Sequence, residues 1–588
     1  MKQQWNLDDI VKAENFDQLY RETEREIEEI DNWIRELNPE MSEDKFVHII
    51  EKWEELGSKL ARLSYRPHLM EAVDQKDQKA KQMKSRVDNL VIKYSERIRK
   101  ISHWIKGKRV EGKKILDDNN ANRLFGAIED LEYELKHSRL AAKHNLEEKE
   151  ENIITNKDVN GVNVLVDLRS LIDSEFEFEM EVGGEKKLLK TQAELLAYVY
   201  SPKPEEREAA YRTLLAKYKS NIDKFFSIYQ AVVKDWGYEA KLRGFKTPIE
   251  ARNFSNRIPN KAVEVLLDVC RDNRGVFQEY FKYKTRELGV EKLKRFDIYA
   301  PLLSESKVYD YEQAQKLVIS TFSEFSKGFA DRASEIIENK HIDSHPKPLK
   351  SNGAFCATVE PRITPYVMLN YTGKIRDIST LAHELGHGVH SLYANNHHYS
   401  TQHANLPLAE TASTLGEMVL FERLYEMEKD KKIKKSMLSE KLADSYASIL
   451  RQNYFVIFEK KAHEMIPKGI TADELSQVWL ETLEEQFEES VEVDSIFKNE
   501  WAYIPHIVSS PFYCYAYNFG ELLSFSLYAR YKNEGRGFVV KIENILEAGG
   551  SKDPQEILRD IGVDMTERRF WEDSFEIIKG WMDELKLL

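Results

Sequence analysis

Residues 377–392 form the most informative stretch of this sequence, DISTLAHELGHGVHSL. Its apolar residues recur at helical spacing and fall within about 100° of arc at 100° per residue; they are Ile378, Leu381, Ala382, Leu385, Val389 and Leu392. The imidazoles of His383 and His387 lie roughly 140–180° from that arc. The pattern predicts a helix, with Asp377 as its cap, that buries one face and directs both histidines elsewhere.

The same helix carries a His-Glu-x-x-His motif formed by His383, Glu384 and His387. By chance such a motif is expected roughly 0.04 times in a chain of this composition. Side chains at i and i+4 lie above one another on a helix, so two imidazoles can hold one zinc ion. The adjacent glutamate then reaches the water bound at the metal. The alternative is a pair of surface histidines on an amphipathic helix.

A third zinc ligand is expected downstream, because catalytic zinc takes three protein ligands and leaves one position open. Asn-Leu-Pro-Leu at residues 405–408 is typical of a helix start, with Pro407 in the first turn. In that predicted helix, Glu410, Thr414 and Glu417 share one face. We expect Glu410 to be the third ligand, while Glu417 either accepts the free N–H of a ligand histidine or is an ordinary exposed glutamate.

Other histidines compete with Glu410 for this role. One lies on the zinc-facing side of the motif helix and three lie in the following linker; they are His390, His397, His398 and His403. His463-Glu464 does not form a second motif of this kind, because Pro467 occupies the position where the second histidine would be needed.

The composition favours long helices and disfavours nucleic acid as a partner. Only 25 glycines and 16 prolines occur in 588 residues, too few for the many turns of an all-β protein. A formal net charge of −14 repels phosphate backbones, and no basic patch offsets it.

The three cysteines indicate a reducing compartment. Cys270, Cys356 and Cys514 are far apart and form neither a disulfide framework nor a Cys-x-x-Cys metal site. The first residues show no signal peptide, and no stretch is long and apolar enough to span a membrane. We therefore expect a cytoplasmic protein without membrane partners.

Two short islands of strand pattern interrupt the helical pattern. Phenylalanine, methionine and valine alternate with glutamate from residue 175, and Gly183-Gly184 follows, which predicts a hairpin at 174–190. A second island at 353–371 predicts a local sheet beside the site. Ser-Pro-Lys-Pro at 201–204 marks the predicted boundary between an N-terminal helical lobe, 1–200, and a catalytic lobe, 201–588.

A histidine and an aromatic cluster occur late in the chain. His506 is followed by PFYCYAYNFG at residues 511–520. So many aromatic residues in one stretch are most simply explained as part of the hydrophobic core. Alternatively, His506 and the hydroxyls of Tyr513, Tyr515 and Tyr517 donate hydrogen bonds to a developing oxyanion.

Taken with these motifs, the chain resembles the oligoendopeptidase F family of zinc metallopeptidases, relatives of thimet oligopeptidase and neurolysin. The segments that carry the resemblance are residues 5–9, 296–302, 353–355, 369–373, 379–387, 407–413 and 506–520. They extend over nearly the whole chain and are most specific from about residue 290 to 520.

The resemblance implies a mainly α, two-lobed molecule with a deep central channel, one zinc ion at its floor and a small β-sheet beside the zinc-binding helix. It implies hydrolysis of internal bonds in short unstructured peptides, with residues 353–371 supplying an edge strand that pairs with the substrate backbone. It further implies that Glu410 ligates zinc, and that His506 with Tyr513 or Tyr517 assists the transition state.

Two rival functions remain open from the sequence. A metallocarboxypeptidase can use the same zinc helix, but it requires a cation that fixes the substrate carboxylate. A helical peptide-binding protein can carry structural zinc, but structural sites are filled mostly by cysteine, and no cysteine lies near the motif.

Overall fold

The computed structural model of the protein describes residues 3–110, 112–302 and 308–588, and most of these are helical. The helices of the N-terminal half are α1 (Phe16–Glu36), α2 (Glu43–Val73), α3 (Gln78–Ile105), α4 (Asp118–Phe125), α5 (Glu129–Ala141), α6 (Glu148–Asn160), α7 (Val162–Ser174), α8 (Gln192–Leu196), α9 (Pro204–Lys219), α10 (Ile222–Leu242), α11 (Pro248–Ser255), α12 (Asn260–Asp272) and α13 (Gly275–Glu287).

The helices of the C-terminal half are α14 (Tyr311–Phe325), α15 (Lys327–Glu338), α16 (Ile375–Tyr393), α17 (Leu406–Ala409), α18 (Thr411–Met427), α19 (Lys431–Ser445), α20 (Arg451–Met465), α21 (Ala472–Phe487), α22 (His506–Ser509), α23 (Tyr515–Glu534), α24 (Arg536–Ala548), α25 (Pro554–Asp560) and α26 (Arg568–Leu587). The strands are β1 (Phe178–Val182), β2 (Glu185–Leu189), β3 (Ile342–Asp343), β4 (Phe355–Ala357) and β5 (Tyr366–Met368). The prediction of a mainly helical chain with small sheets is confirmed.

The described residues divide into two compact units, each built from three separate stretches of the chain. The first unit takes its residues from 1–144, 306–424 and 530–563. The second takes its residues from 145–305, 425–529 and 564–588. The lobe boundary at residue 200 stays a prediction. Among the described residues, none of the helices has the length and apolar character required to cross a bilayer.

In the second unit, β1 and β2 form the predicted hairpin. They pair antiparallel, with Phe178 opposite Leu189. The connecting Gly183 and Gly184 have φ angles of 62° and 83°, in the left-handed region that glycine adopts without strain. Phe178 and Met180 are buried and alternate with exposed glutamates, so the period of two marks a half-buried strand.

The first unit has a core shared by its N-terminal helices and its sheet. Helices α1, α2 and α3 pack on one another. Their apolar side chains form a single buried cluster with residues from the sheet region, namely Ala357, Val359, Ile363 and Tyr366. The Trp5 ring meets the Tyr366 ring edge-on, with 6.1 Å between centroids. The N-terminal helices therefore support the sheet directly.

The sheet of the first unit has the order β3-β5-β4. Strand β5 pairs parallel with β3 and antiparallel with β4, in a register that places Cys356 opposite Val367. Helix α16 packs on β4 and β5. The second strand island is thus a local sheet beside the motif helix, as predicted, with β4 at its edge.

Helix α16 begins two residues earlier than Asp377. Lys374 is the N-cap, and the Asp377 carboxylate reaches back to accept hydrogen bonds from the backbone N–H groups of Thr372 and Lys374. The prediction that Asp377 is the cap is therefore wrong, because this acidic residue acts from the third helical position. The apolar face is as predicted, with all six of its residues buried.

Close packing between α16 and α18 depends on glycine. A Cβ atom at Gly386 would lie 2.5 Å from the Ser413 Cα and 2.6 Å from the Ala412 carbonyl oxygen. A Cβ atom at Gly416 would lie 3.1 Å from the Ala382 carbonyl oxygen. Because these neighbours are backbone atoms, no side-chain rotation can make room. The two helices approach to this distance only with glycine at Gly386.

We predict that Gly386→Ala lowers the thermal unfolding midpoint and destabilises the protein by about 1–3 kcal/mol or more, because the added methyl group pushes two backbones apart. Gly388→Ala is the matched control in the same helix. There the new Cβ meets the Cδ1 of Ile336, the movable end of a side chain. Thermal unfolding of both variants checks this, and equal effects at the two positions would contradict it.

Candidate active site

His383, His387 and Glu410 converge in the first unit as a potential metal-binding group. The Nε2 atoms of the two histidines are 3.1 Å apart. The Glu410 Oε2 atom lies 3.5 Å from the His383 Nε2 and 3.4 Å from the His387 Nε2. Donors at about 2.0–2.2 Å from a tetrahedral ion are about 3.3–3.6 Å apart. The three donors therefore fit a small ion that prefers nitrogen and oxygen, and zinc is such an ion.

The hydrogen bonds behind these donors fix the histidine rings. The His383 Nδ1 lies 2.5 Å from the Glu417 Oε1, which leaves Nε2 facing the other two donors. Burial lowers the pKa of His387, and the nearby Ala409 backbone partly opposes this. Burial disfavours the charged form of His383, but the Glu417 carboxylate outweighs it and raises the pKa to about 9. Such an outer partner orients a ligand histidine and increases its basicity.

Glu384 is only 7% exposed, although it points to the same region as the histidines. The backbone N–H of Cys356 in β4 is one of the groups that favour the ionised form of Glu384. Burial raises the pKa of Glu384 to about 7. A carboxyl group with such a pKa can both accept and release a proton near neutral pH.

Glu410 lies at a break between two helices. The sequence predicts one helix through Glu410, Thr414 and Glu417, but α17 ends at Ala409 and α18 begins at Thr411. The prediction of a continuous helix is wrong at this one position. The Ser413 hydroxyl donates to both the Oε2 and the carbonyl oxygen of Glu410, so the side chain is held where the backbone leaves helical geometry.

The alternative ligand histidines lie outside this three-residue group. His397 and His398 each bond through Nδ1 to the Asp130 carboxylate, which anchors their loop to α5. His390 and His403 line a cavity next to the motif, and burial lowers the pKa of both rings, that of His390 to about 3.

That cavity, of about 440 Å³, opens beside Glu384 and the two motif histidines. Its remaining lining residues come from α2, the β4 segment, α16, the linker to α17 and α17 itself; they are Tyr65, Ala354, Phe355, Cys356, Thr358, His390, Ser391, Gln402, His403, Ala404 and Ala409. Space for a reactant therefore adjoins both the predicted base and the predicted metal ligands.

The second unit contains the predicted aromatic cluster. The Tyr517 hydroxyl lies 3.3 Å from the His506 Nε2. The Tyr513 ring is parallel to the His506 ring and perpendicular to that of Tyr517. Burial and two nearby arginines lower the pKa of His506, which keeps the ring neutral. Tyr515 is fully buried, and its hydroxyl accepts a hydrogen bond from Asn256. Tyr515 is thus a core residue.

One more group of potential ligand atoms occurs among the described residues, formed by Asp158, Asp235 and Glu239 in the second unit. Lys157 pairs with Asp235, and Arg243 pairs with Glu239. This group lacks histidine, and its charge is offset by cations.

Sequence reasoning missed the structural roles of Cys356 and Gly386. Their contributions are a backbone N–H and the absence of a side chain, and neither leaves a chemical signature in the sequence. Gly386 could have been suspected, because a glycine inside a helix is disfavoured unless packing requires it.

Comparison with known proteins gives a consistent result. A sequence profile of peptidase family M3 matches residues 197–577. An oligoendopeptidase F homolog of Borreliella burgdorferi is 27% identical over 567 residues, which cover 93% of this chain and 92% of that protein. The oligopeptidase PepF of Bacillus subtilis is 26% identical over 412 residues, 69% of this chain and 61% of that protein.

Solved structures share the fold over nearly the full length. The crystal structure of oligoendopeptidase-F from Enterococcus faecium has a TM-score of 0.71 and 22% identity, covering 97% of this chain and 98% of that one. A crystal structure of a protein from Chlamydophila abortus assigned as a peptidase has a TM-score of 0.87, also at 22% identity, covering 99% and 97%. The family match covers well over half of the sequence. The chain therefore belongs to peptidase family M3, whose members are metallopeptidases.

Proposed function

We propose that this peptidase is a zinc-dependent endopeptidase that hydrolyses internal bonds of short, unstructured oligopeptides. The observation that carries the proposal is the convergence of His383, His387 and Glu410 at spacings suited to zinc, beside the buried carboxyl of Glu384. The names of the relatives, oligoendopeptidase F and oligopeptidase, support the substrate class.

The proposed metal ligands are the Nε2 atoms of His383 and His387 and one carboxylate oxygen of Glu410. When bound, zinc supplies a Lewis acid that polarises the scissile carbonyl and lowers the pKa of water. Glu417 holds the first ring in place through its bond to Nδ1.

Glu384 is the proposed general base and acid. Its carboxylate takes a proton from the attacking water and passes it to the leaving amine. The cavity gives this carboxylate access to a reactant. Because β4 is an edge strand, its remaining backbone groups are suited to pair with an extended peptide, which binds without strict sequence demands.

His506, Tyr513 and Tyr517 are the proposed donors to the oxyanion of the tetrahedral intermediate. Support comes from their mutual contacts and from the partial exposure of all three side chains. A deep channel between two lobes, implied by the family resemblance, remains part of the proposal as the feature that excludes folded proteins.

The proposed location is the cytoplasm. Cys270, Cys356 and Cys514 are all free thiols, and the first and last of these are buried. Free thiols persist in reducing compartments.

Metal dependence and endopeptidase activity can be tested in one assay. An internally quenched peptide blocked at both ends should be cleaved by the zinc-loaded protein. Chelation should reduce the rate by roughly 100-fold or more, and one equivalent of zinc should restore it. Cleavage by protein shown to be metal-free would refute the zinc mechanism. Release of C-terminal residues from unblocked peptides alone would favour a carboxypeptidase, and failure to cleave any peptide would favour a binding protein.

Glu384→Gln should separate catalysis from metal binding. The amide cannot take a proton, so kcat should fall by about 10²–10⁴-fold while the zinc content stays at one per chain. Glu410→Ala should instead lose zinc, and Glu417→Gln should weaken zinc binding by about 10–100-fold. Metal analysis beside peptide kinetics checks all three. Normal zinc content in Glu410→Ala would contradict the proposed ligand set.

The tyrosines offer an internally controlled test. Tyr513→Phe or Tyr517→Phe should lower kcat by about ten- to a thousandfold with little change in KM, because a donor to the oxyanion acts in the transition state. Tyr515→Phe is the control, since its hydroxyl is bonded to Asn256 in the core. It should lower the unfolding midpoint and leave kcat unchanged. Unchanged kcat in both test variants would indicate that the aromatic cluster has only a structural role.

A further inference from the structure

Arg451 is a partly exposed arginine at the start of α20 in the second unit. Its side chain is 23% exposed, and its guanidinium lies over the Phe455 ring, 5.2 Å from the centroid. The preceding turn, Tyr446–Leu450, is π-helical, a distortion that occurs frequently at functional sites. The side chain is therefore supported by its own helix and remains accessible to solvent. The proposed reaction assigns it no role.

The positive charge of Arg451 has no carboxylate of its own among the described residues. Its Nη2 lies 4.0 Å from the Glu500 Oε1, and that oxygen already accepts a hydrogen bond from the buried Arg295 at 2.7 Å. Arg169, the other arginine near His506, pairs with Asp173. These three guanidinium groups share two carboxylates, and Arg451 is the most exposed of the three. Because a cation that loses hydration is unfavourable unless it is paired, this position favours an anionic ligand.

Two phenol hydroxyls beside Arg451 have unused capacity to donate hydrogen bonds. The Tyr299 hydroxyl accepts from the Arg451 Nη1 at 3.2 Å, and its own proton has no acceptor among the described residues. Within the same part of the chain, the Tyr503 hydroxyl has no hydrogen-bond partner. Burial raises the pKa of Tyr503 although the Arg451 charge opposes it, so this phenol is protonated and close to the guanidinium. Both tyrosine side chains are partly exposed, so a ligand can reach them.

The group formed by Arg451, Tyr299 and Tyr503 adjoins the proposed oxyanion donors. Burial is the main cause of the lowered pKa of His506, and the charge of Arg451 contributes to it, so the guanidinium lies within electrostatic reach of that ring. Tyr503 precedes His506 by three positions in the chain. A peptide whose reacting carbonyl group is held at His506 therefore brings a residue next to the scissile bond towards Arg451.

We propose that Arg451, Tyr299 and Tyr503 bind a carboxylate of the peptide substrate next to the scissile bond. The guanidinium supplies the charge and a pair of donors that match a carboxylate, and each phenol adds one hydrogen bond. The carboxylate belongs to an acidic side chain or to the C-terminus of the peptide, two sources with the same chemistry. The enzyme then selects among oligopeptides by negative charge. The position next to the scissile bond rests on the proposed function, whereas carboxylate binding itself does not.

A glutamate scan of a peptide blocked at both ends tests the proposal. One glutamate is placed at each position in turn, and each peptide is compared with its glutamine counterpart. A further pair differs only in a free or an amidated C-terminus. For the acidic member of at least one pair, we expect kcat/KM to be higher by about tenfold or more. Mass spectrometry locates the cleaved bond, and the pair that shows the difference identifies the source of the carboxylate. Equal kcat/KM within every pair would overturn the proposal.

The preference for the acidic peptide should depend on Arg451. Arg451→Gln should remove it, so that kcat/KM for the two members of the pair agrees within about twofold. Arg568→Gln is the matched control, because Arg568 is an exposed arginine of α26 in the same unit that already pairs with Asp272 and Glu572. This variant should keep the full preference. A merely structural role of Arg451 would lower both rates alike and leave their ratio unchanged, and that result would overturn the proposal.

A second variant keeps the test decisive if Arg451→Gln fails to fold. Tyr503→Phe retains the ring and its packing and removes only the hydroxyl, which has no hydrogen-bond partner among the described residues. The preference for the acidic peptide should fall by about two- to tenfold, because one hydrogen bond to the carboxylate is lost while the guanidinium remains. The rate for the neutral peptide should stay the same. An unchanged preference in Tyr503→Phe would place the carboxylate elsewhere.

Binding measured without cleavage separates this proposal from the proposed function. Fluorescence anisotropy of the labelled peptides with Glu384→Gln protein gives a dissociation constant for each member of a pair. Tighter binding of the acidic member, lost in the double variant Glu384→Gln/Arg451→Gln, would support the carboxylate site even if the wild type cleaved no peptide. Equal dissociation constants within every pair would overturn it even if the wild type cleaved them all.

Discussion

The backbone contact at Gly386 is the constraint on which the candidate active site depends. It brings α18 so close to α16 that a Cβ atom at Gly386 would lie only 2.5 Å from the Ser413 Cα. Ser413 in turn bonds to Glu410, and Glu417 follows one turn later on the same helix. The separation of about 3.5 Å between the Glu410 oxygen and the histidine nitrogens is a consequence of this contact. Helices separated by ordinary side chains would be 8–10 Å apart at their axes.

Electrostatics gives the same region its chemical character. Glu384, Glu410 and Glu417 surround two imidazoles, and Glu384 is held in a buried position where its charge is disfavoured. Three acidic side chains crowd two imidazoles, and a divalent cation at the three converging donors would offset the negative charge of the acids. The histidines and the acids are therefore one electrostatic unit, so a change in any member alters the proton affinity of the others.

Sequence patterns were sufficient to predict which side chains converge but not the local geometry. The helical spacing around His383 and His387, the convergence of Glu410 with them and the partner Glu417 could all be predicted, because each is a chemically distinctive side chain at a regular interval. The helix break at Glu410 could not be predicted, because it accompanies a hydrogen bond from the Ser413 hydroxyl. The start of α16 before Asp377 could not be predicted either, because the Asp377 carboxylate reaches back to the backbone of Lys374. Tyr515 could not be distinguished from Tyr513 and Tyr517 without knowledge of which rings the core encloses.

The order in which the chain enters the two units also constrains how the protein acquires its structure. In the first unit, the backbone N–H of Gln3 donates to the Ser344 hydroxyl, across 341 positions of sequence. The helices of residues 1–144 must therefore wait during synthesis for residues 306–424 before their shared core can close. Contacts so distant in sequence are formed slowly, and the apolar faces of α1 to α3 stay exposed on the ribosome in the meantime. During that interval the exposed apolar surface of the nascent chain is open to misassociation.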